Sequence, residues 1–163
     1  MKKHELTDDT ITVGGRILHR IKALKSFSDV EEGDLGGYVE KEDNLNQSGN
    51  AWVYGNARVY GDARVSGNAQ VYGNARVYGN ARVYGDAWVS GENDYTTAKG
   101  FGREYRTTTF FRLKDGGIGV RCGCFYGTLD EFRKKVKETH KESKLGKEYL
   151  MLADLMEYKF KNE

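Results

Sequence analysis

Between Asn50 and Gly91 the chain repeats every six residues, and this period constrains the fold more than any other feature. Alanine recurs at positions 51, 57, 63, 69, 75, 81 and 87, and valine at 53, 59, 65, 71, 77, 83 and 89. Glycine recurs at 55, 61, 67, 73, 79, 85 and 91, each followed by Asn, Asp or Glu. Within a hexad, Ala and Val alternate with polar or aromatic residues, so the two small apolar side chains share one face of a short strand. The Gly-Asn pair tolerates positive φ and allows a sharp bend after each strand. An invariant period with an inward Val in every hexad favours a prism over a meander of hairpins.

The expected fold is therefore mainly β: a short three-sided (left-handed) parallel β-helix with three hexads to the turn. Two less regular hexads, Val39 to Asn44 and Leu45 to Asn50, precede the clean run. With them residues 39–92 make three coils, a stack roughly 14 Å tall at the usual strand spacing. One coil buries too little apolar surface to offset the ordering of its backbone, so coils depend on stacked neighbours and covered ends. The flanks are accordingly read as an N-terminal β cap over 1–38 and a C-terminal ββαα unit over 93–163.

In the cap, Arg16 to Leu24 reads as a strand, followed by a turn-rich stretch from Glu31 to Gly37. After Gly91 the period stops, and Glu92 to Gly102 reads as a polar loop. Residues 104–113 are rich in strand formers, Lys114-Asp115-Gly116-Gly117 is a hairpin turn, and Ile118 to Phe125 returns. Thr128-Leu129-Asp130-Glu131 is a capping box opening a helix to about His140, with Leu129, Phe132, Val136 and Thr139 as its apolar stripe. A second helix after Ser143 places Leu145, Tyr149, Leu152, Met156 and Phe160 on one face.

Several function classes are disfavoured. The net charge of +2 is divided as −3 over residues 1–49, +2 over 50–91 and +3 over 92–163. That is neither an acidic nucleic-acid mimic nor the footprint of a dedicated nucleic-acid binder. No apolar run reaches membrane-spanning length, and the start MKKHELTDDT lacks a signal peptide's apolar core, so a cytoplasmic protein is expected. Asn46-Gln47-Ser48 then reads as a chance glycosylation pattern. Cys122 and Cys124, two apart on a strand, read as small buried hydrophobes; no metal site or cofactor is expected. Gly117-Ile118-Gly119 lacks the strand-then-helix setting of a dinucleotide loop. Lys134, Lys135, Lys137 and Lys141 read as a solvated helix face.

Residues three hexads apart stack on one side of the prism. One side shows Trp52, Gln70 and Trp88 beside Tyr54, Tyr72 and Ser90. The second shows Glu40, Arg58 and Arg76 beside Tyr60 and Tyr78. The third shows Asn46, Arg64 and Arg82 beside Ser66 and Tyr84. Such columns stiffen a sheet, but Trp, Tyr and Arg are also the residues of interface cores. The Trp side, with Trp52, Trp88, Tyr54 and Tyr72, is thus the favoured contact with a second copy or a partner. The arginine sides, with Arg58, Arg76, Arg64, Arg82, Tyr60 and Tyr78, are candidate partner surfaces. The expected self-association is a trimer or a dimer.

The grammar is similar to that of the hexapeptide acyltransferases, which require a histidine base. Here His4, His19 and His140 all lie outside the coils, so no enzymatic activity is expected. The run YGNARVYGDARVSGNAQVYGNARVYGNARVYGDAWVSG, with RIKALKSFSDVEEGDLGGYVEKE before it and TTTFFRLKDGGIGVRCGCFYGTLDEFRKKVKETH after it, resembles uncharacterised phage and prophage proteins. That resemblance implies a phage-encoded, non-catalytic protein in the host cytoplasm. By analogy with other small phage proteins, its expected role is to inhibit a host defence complex, anti-CRISPR-like, by binding a host protein or nucleoprotein assembly. A self-assembling structural protein, and a degenerate acyltransferase or small-molecule sponge, are the alternatives. Direct nucleic-acid binding is not favoured.

Overall fold

The computed structural model describes residues 1–161. Strands β1 (His4–Val13) and β2 (Arg16–Ala23) form an antiparallel hairpin turned at Gly14-Gly15. β1 is absent from the sequence reading because HELTDDTITV lies at a sheet edge, where polar and charged residues replace a clean alternation. β3 (Leu35–Val39) pairs antiparallel with β2 on one side.

Seven two-residue strands follow: β4 (Trp52–Val53), β5 (Arg58–Val59), β6 (Arg64–Val65), β7 (Gln70–Val71), β8 (Arg76–Val77), β9 (Arg82–Val83) and β10 (Trp88–Val89). They pair in parallel at every third strand: β4-β7-β10, β5-β8 and β6-β9. Backbone bonds such as Trp52 N–H to the Ala69 carbonyl (3.1 Å) and Arg64 N–H to the Ala81 carbonyl (2.9 Å) join successive coils. The repeat alanines and valines from Ala51 to Val89 are buried in one continuous core. The corners need glycine. Gly67 has φ +70°, and a Cβ there would lie 2.8 Å from the Gly85 nitrogen of the coil above.

The first coil differs from the sequence reading. Val39 pairs with Val59 and Leu45 with Val65, both at a spacing of twenty, whereas Val53 pairs with Val71 at eighteen. Val39 and Leu45 are themselves six apart, so the extra pair lies in the corner after Leu45. Asn46 and Asn50 still bond to the carbonyls of Val65 and Gly67, which leaves Gln47 and Ser48 as the insertion. The column neighbours change accordingly. Tyr38, not Glu40, pairs with Arg58, while Glu40 N–H donates to the Val59 carbonyl and Asn46 lies beside Ser66 instead of Arg64. The inserted Gln47 is used: its side-chain oxygen accepts from the N–H groups of Lys3 (2.7 Å) and His4 (3.0 Å), fixing the start of β1.

Each ladder has its lower carbonyls terminated. β3 closes the second ladder as its first strand, Tyr38 N–H donating to the Ala57 carbonyl. The buried Asn44 amide reaches the Ala63 carbonyl (2.9 Å) under the third. Under the first, the buried Lys3 ammonium donates to the Ala51 carbonyl at 2.7 Å. Burial holds the Lys3 pKa down to about 8. Lys3→Met keeps the stem but leaves that carbonyl unsatisfied, and a stability loss of about 1–3 kcal/mol is expected. A urea midpoint equal to wild type would show that Lys3 does not serve as the cap.

The C-terminal unit holds four strands where the sequence reading has two. β11 (Tyr95–Phe101), β12 (Arg106–Arg112), β13 (Ile118–Cys122) and β14 (Phe125–Thr128) form an antiparallel sheet. The stretch read as a polar loop is β11, an edge strand. Helix α1 (Leu129–His140) opens on the capping box, Thr128 accepting from Glu131 N–H, and α2 (Lys144–Lys159) opens on Ser143. Thr139 is exposed and takes no part in the stripe. β12 lies between two cores and is buried on both faces: Phe111 enters the coil core, while Phe110 faces the helices with Phe132 and Tyr149.

Candidate interaction surface

The outer faces of the three parallel ladders carry the candidate residues, and the flanking units treat each face, or side, differently. On the first, the expected Trp strip does not form. Trp52 is 1% exposed, covered edge-on by Phe27 (5.3 Å between centroids) and His4 (6.4 Å). Tyr54 donates to the Asp29 carboxylate at 2.8 Å. Both Phe27 and Asp29 belong to the segment between β2 and β3, which folds over the lower coil. Trp88 is 38% exposed, with Tyr72 against it at 5.7 Å and the Lys114 ammonium 6.0 Å from its ring.

The second side continues into the cap, giving a five-stranded sheet in the order β1-β2-β3-β5-β8. Tyr60 and Tyr78 stack face to face, 5.4 Å apart and 8° from parallel, and Tyr78 is 47% exposed. Arg58 and Arg76 are neighbours in register beside them, and neither forms an ion pair among the described residues. Below, Tyr38 is held by the Arg20 guanidinium 4.3 Å from its ring centre.

The third side is concave. Arg64 and Arg82 are paired in register, and Arg121 arrives from β13 with its guanidinium 4.6 Å from the Tyr84 ring centre. Tyr84 packs edge-on against Tyr126, which stacks on the buried Phe111, so Arg121 rests on a column rooted in the core. Arg82 donates from its backbone N–H to Thr109 Oγ1 and from its guanidinium to the Asp62 carbonyl at 2.8 Å. Burial lowers the Arg82 pKa, with Arg64 and Arg121 adding to the effect. These three arginines line a groove of about 450 Å³.

A family model described as the YdcK beta solenoid repeat matches residues 51–67, 57–73, 69–80 and 75–91. All four matches fall within the coils. They support a β-solenoid repeat protein. No curated protein matches the sequence.

Outside the solenoid, Cys122 is half-buried and accepts from the Thr108 hydroxyl at 3.2 Å. Cys124 lies in the β13–β14 turn and is exposed, so the expectation of two buried thiols on one strand is corrected. His4 is buried against Trp52, and His19 is hydrogen-bonded to the Thr7 carbonyl. The ring of His140 lies 5.6 Å from Tyr149. Lys134, Lys135 and Lys137 are exposed along α1, and Lys141 is exposed at its C-cap. Two features escaped the sequence reading. Arg121 joins the solenoid arginines through sheet pairing that no repeat encodes. Met151, Leu155 and Tyr158, at helical spacing, are exposed on the outer face of α2. No helix among the described residues is long and apolar enough to cross a membrane.

Proposed function

We propose that this is a phage-encoded, non-catalytic binding protein that inhibits a host defence complex, anti-CRISPR-like, in the host cytoplasm. Its contact surface in this reading is the second solenoid side. The supporting observation is the Tyr60–Tyr78 stack, half-buried at Tyr60 and exposed at Tyr78, flanked by Arg58 and Arg76, which have no acidic partners among the described residues. Aromatic and guanidinium groups on a flat, rigid sheet can lose water against a partner at little entropic cost. Absence of turnover is part of the proposal, supported by the burial of His4 against Trp52 and by the placement of His19 and His140 in the flanking units.

The coil is proposed to be the left-handed, three-sided form of the hexapeptide class. Self-association, trimer or dimer, is also proposed. With Trp52 covered, the outer stripe of α2 is the better-supported contact for it. One experiment addresses both surfaces: capture of partners from bacterial lysate by wild type, Tyr60→Ala/Tyr78→Ala and Leu155→Glu, each sized by light scattering. The tyrosine variant should lose a host complex that wild type captures, by tenfold or more, and keep its mass. Leu155→Glu should reduce the mass to that of a monomer. No specific host protein captured by wild type, or equal capture by the tyrosine variant, counts against the binding surface. A wild-type monomer at every concentration rules out self-association.

A further inference from the structure

The concave third side carries an inference independent of the host-complex reading. We propose that the groove between the third ladder and β13 binds a phosphorylated small molecule of nucleotide size. Its phosphate is held by Arg64, Arg82 and Arg121, and its hydroxyl- or amino-bearing end faces Asp43.

Like charges directly opposite one another in a sheet destabilise it. Here Arg64 and Arg82 are register neighbours, and a third guanidinium is added from a different structural unit. None of the three has an ion-pair partner among the described residues. Of the nearby acids, Asp62 pairs with Lys41 at 2.9 Å and Glu42 with Lys2 at 3.1 Å, and Asp43 is without an ion-pair partner among the described residues. Arg82 and Arg121 are nevertheless held in place, one by the Asp62 carbonyl and the other by the Tyr84 ring. Unneutralised guanidiniums lining one groove, two of them held in place, suit a phosphate, whose several oxygens accept paired N–H bonds from more than one arginine.

Two observations favour a compact ligand over a nucleic-acid strand. The groove's volume, about 450 Å³, is that of a small-molecule site. Glu42 and Asp43 line it as well, and their carboxylates would repel a phosphate backbone running the length of the groove. The Asp43 carboxylate is suited to accept hydrogen bonds from ribose hydroxyls or an exocyclic amine. A molecule with phosphate at one end and donors at the other matches both ends.

The test is calorimetric titration of the full chain at low salt with adenosine monophosphate, ribose 5-phosphate, inorganic phosphate and adenosine. Saturable one-to-one binding of the nucleotide is expected, weaker binding of the smaller phosphates, and none of adenosine. Arg64→Gln/Arg121→Gln should weaken nucleotide binding by about tenfold or more. Asp43→Asn should weaken the nucleotide and leave inorganic phosphate unchanged. Arg64 is exposed, so Arg64→Gln alone gives the same reading, with a smaller loss, if the double variant does not fold. The proposal is overturned if no phosphorylated probe saturates at about 10 mM, a Kd limit where binding is already very weak. It is equally overturned if the arginine variants bind as wild type does or adenosine binds as well as its phosphate. Tighter binding of an oligonucleotide than of the mononucleotide, with affinity growing with strand length, would replace it with a polyanion track.

Discussion

A chain ending at Gly91 should give no cooperatively melting, soluble species. Its last coil would lose β12, which supplies Phe111 to the solenoid core and Thr109 Oγ1 to the N–H of Arg82. It would also lose the bond from Lys114 N–H to the Asp86 carbonyl. The exposed rung would present unpaired backbone groups around bare valines, a template for aggregation. In the full chain, Phe111→Ala isolates the apolar part of this plug, because Phe111 is fully buried between the last coil and the Tyr126 ring. A loss of about 3–5 kcal/mol is expected from urea unfolding. A well-behaved 1–91 fragment with a sharp thermal transition would show the solenoid to be self-sufficient, and a Phe111→Ala loss below about 1 kcal/mol would remove the plug from the account.

Acidification should destabilise the fold well before the carboxylates titrate, through His4. Its ring is buried, its Nδ1 has no hydrogen-bond partner among the described residues, and burial holds its pKa down at about 4. Lys3 and Lys2 add to the depression, and Glu42 opposes it. The unfolded chain takes up this proton near pH 6.5 while the folded chain resists it to about pH 4. The unfolded state therefore binds more protons throughout that window, and stability falls as pH falls. The full shift corresponds to about 3 kcal/mol. His4→Phe keeps a ring against Trp52 and removes the titration. Urea unfolding of both proteins from pH 7 to pH 4.5 should give a steep slope for wild type and a shallow one for the variant. Parallel slopes would place the acid sensitivity elsewhere.

The repeat was legible because its constraint is local: alternation identifies the inward pair, and the glycine corner sets the bend. The same locality explains what was not legible. Alternation says that Trp52 points out of its coil, but not that Phe27, from another segment, lies over it. Ser48-Gly49-Asn50 imitates a regular corner, so the insertion of Gln47 and Ser48 shows only in the pairing of Val39 and Leu45. β11 lacks apolar alternation because it is an edge, and β1 is hidden for the same reason. In the groove, Arg64 and Arg82 follow from the period, whereas Arg121 belongs to a sheet whose docking no six-residue rule describes. Helices α1 and α2 were readable because capping residues and apolar spacing coincide.

The terminated lower carbonyls make the solenoid's length quantised. Lys3, Asn44 and β3 each close one particular ladder, and β12 closes the upper end in one fixed orientation. Equivalent positions such as Trp52, Gln70 and Trp88 recur at eighteen residues. Adding or deleting one hexad would bring each lid over the wrong ladder, while adding or deleting three would leave every lid where it fits. A chain that keeps these lids can therefore gain or lose hexads only in steps of three, and the same closed ends keep one molecule from continuing into the next as a fibre.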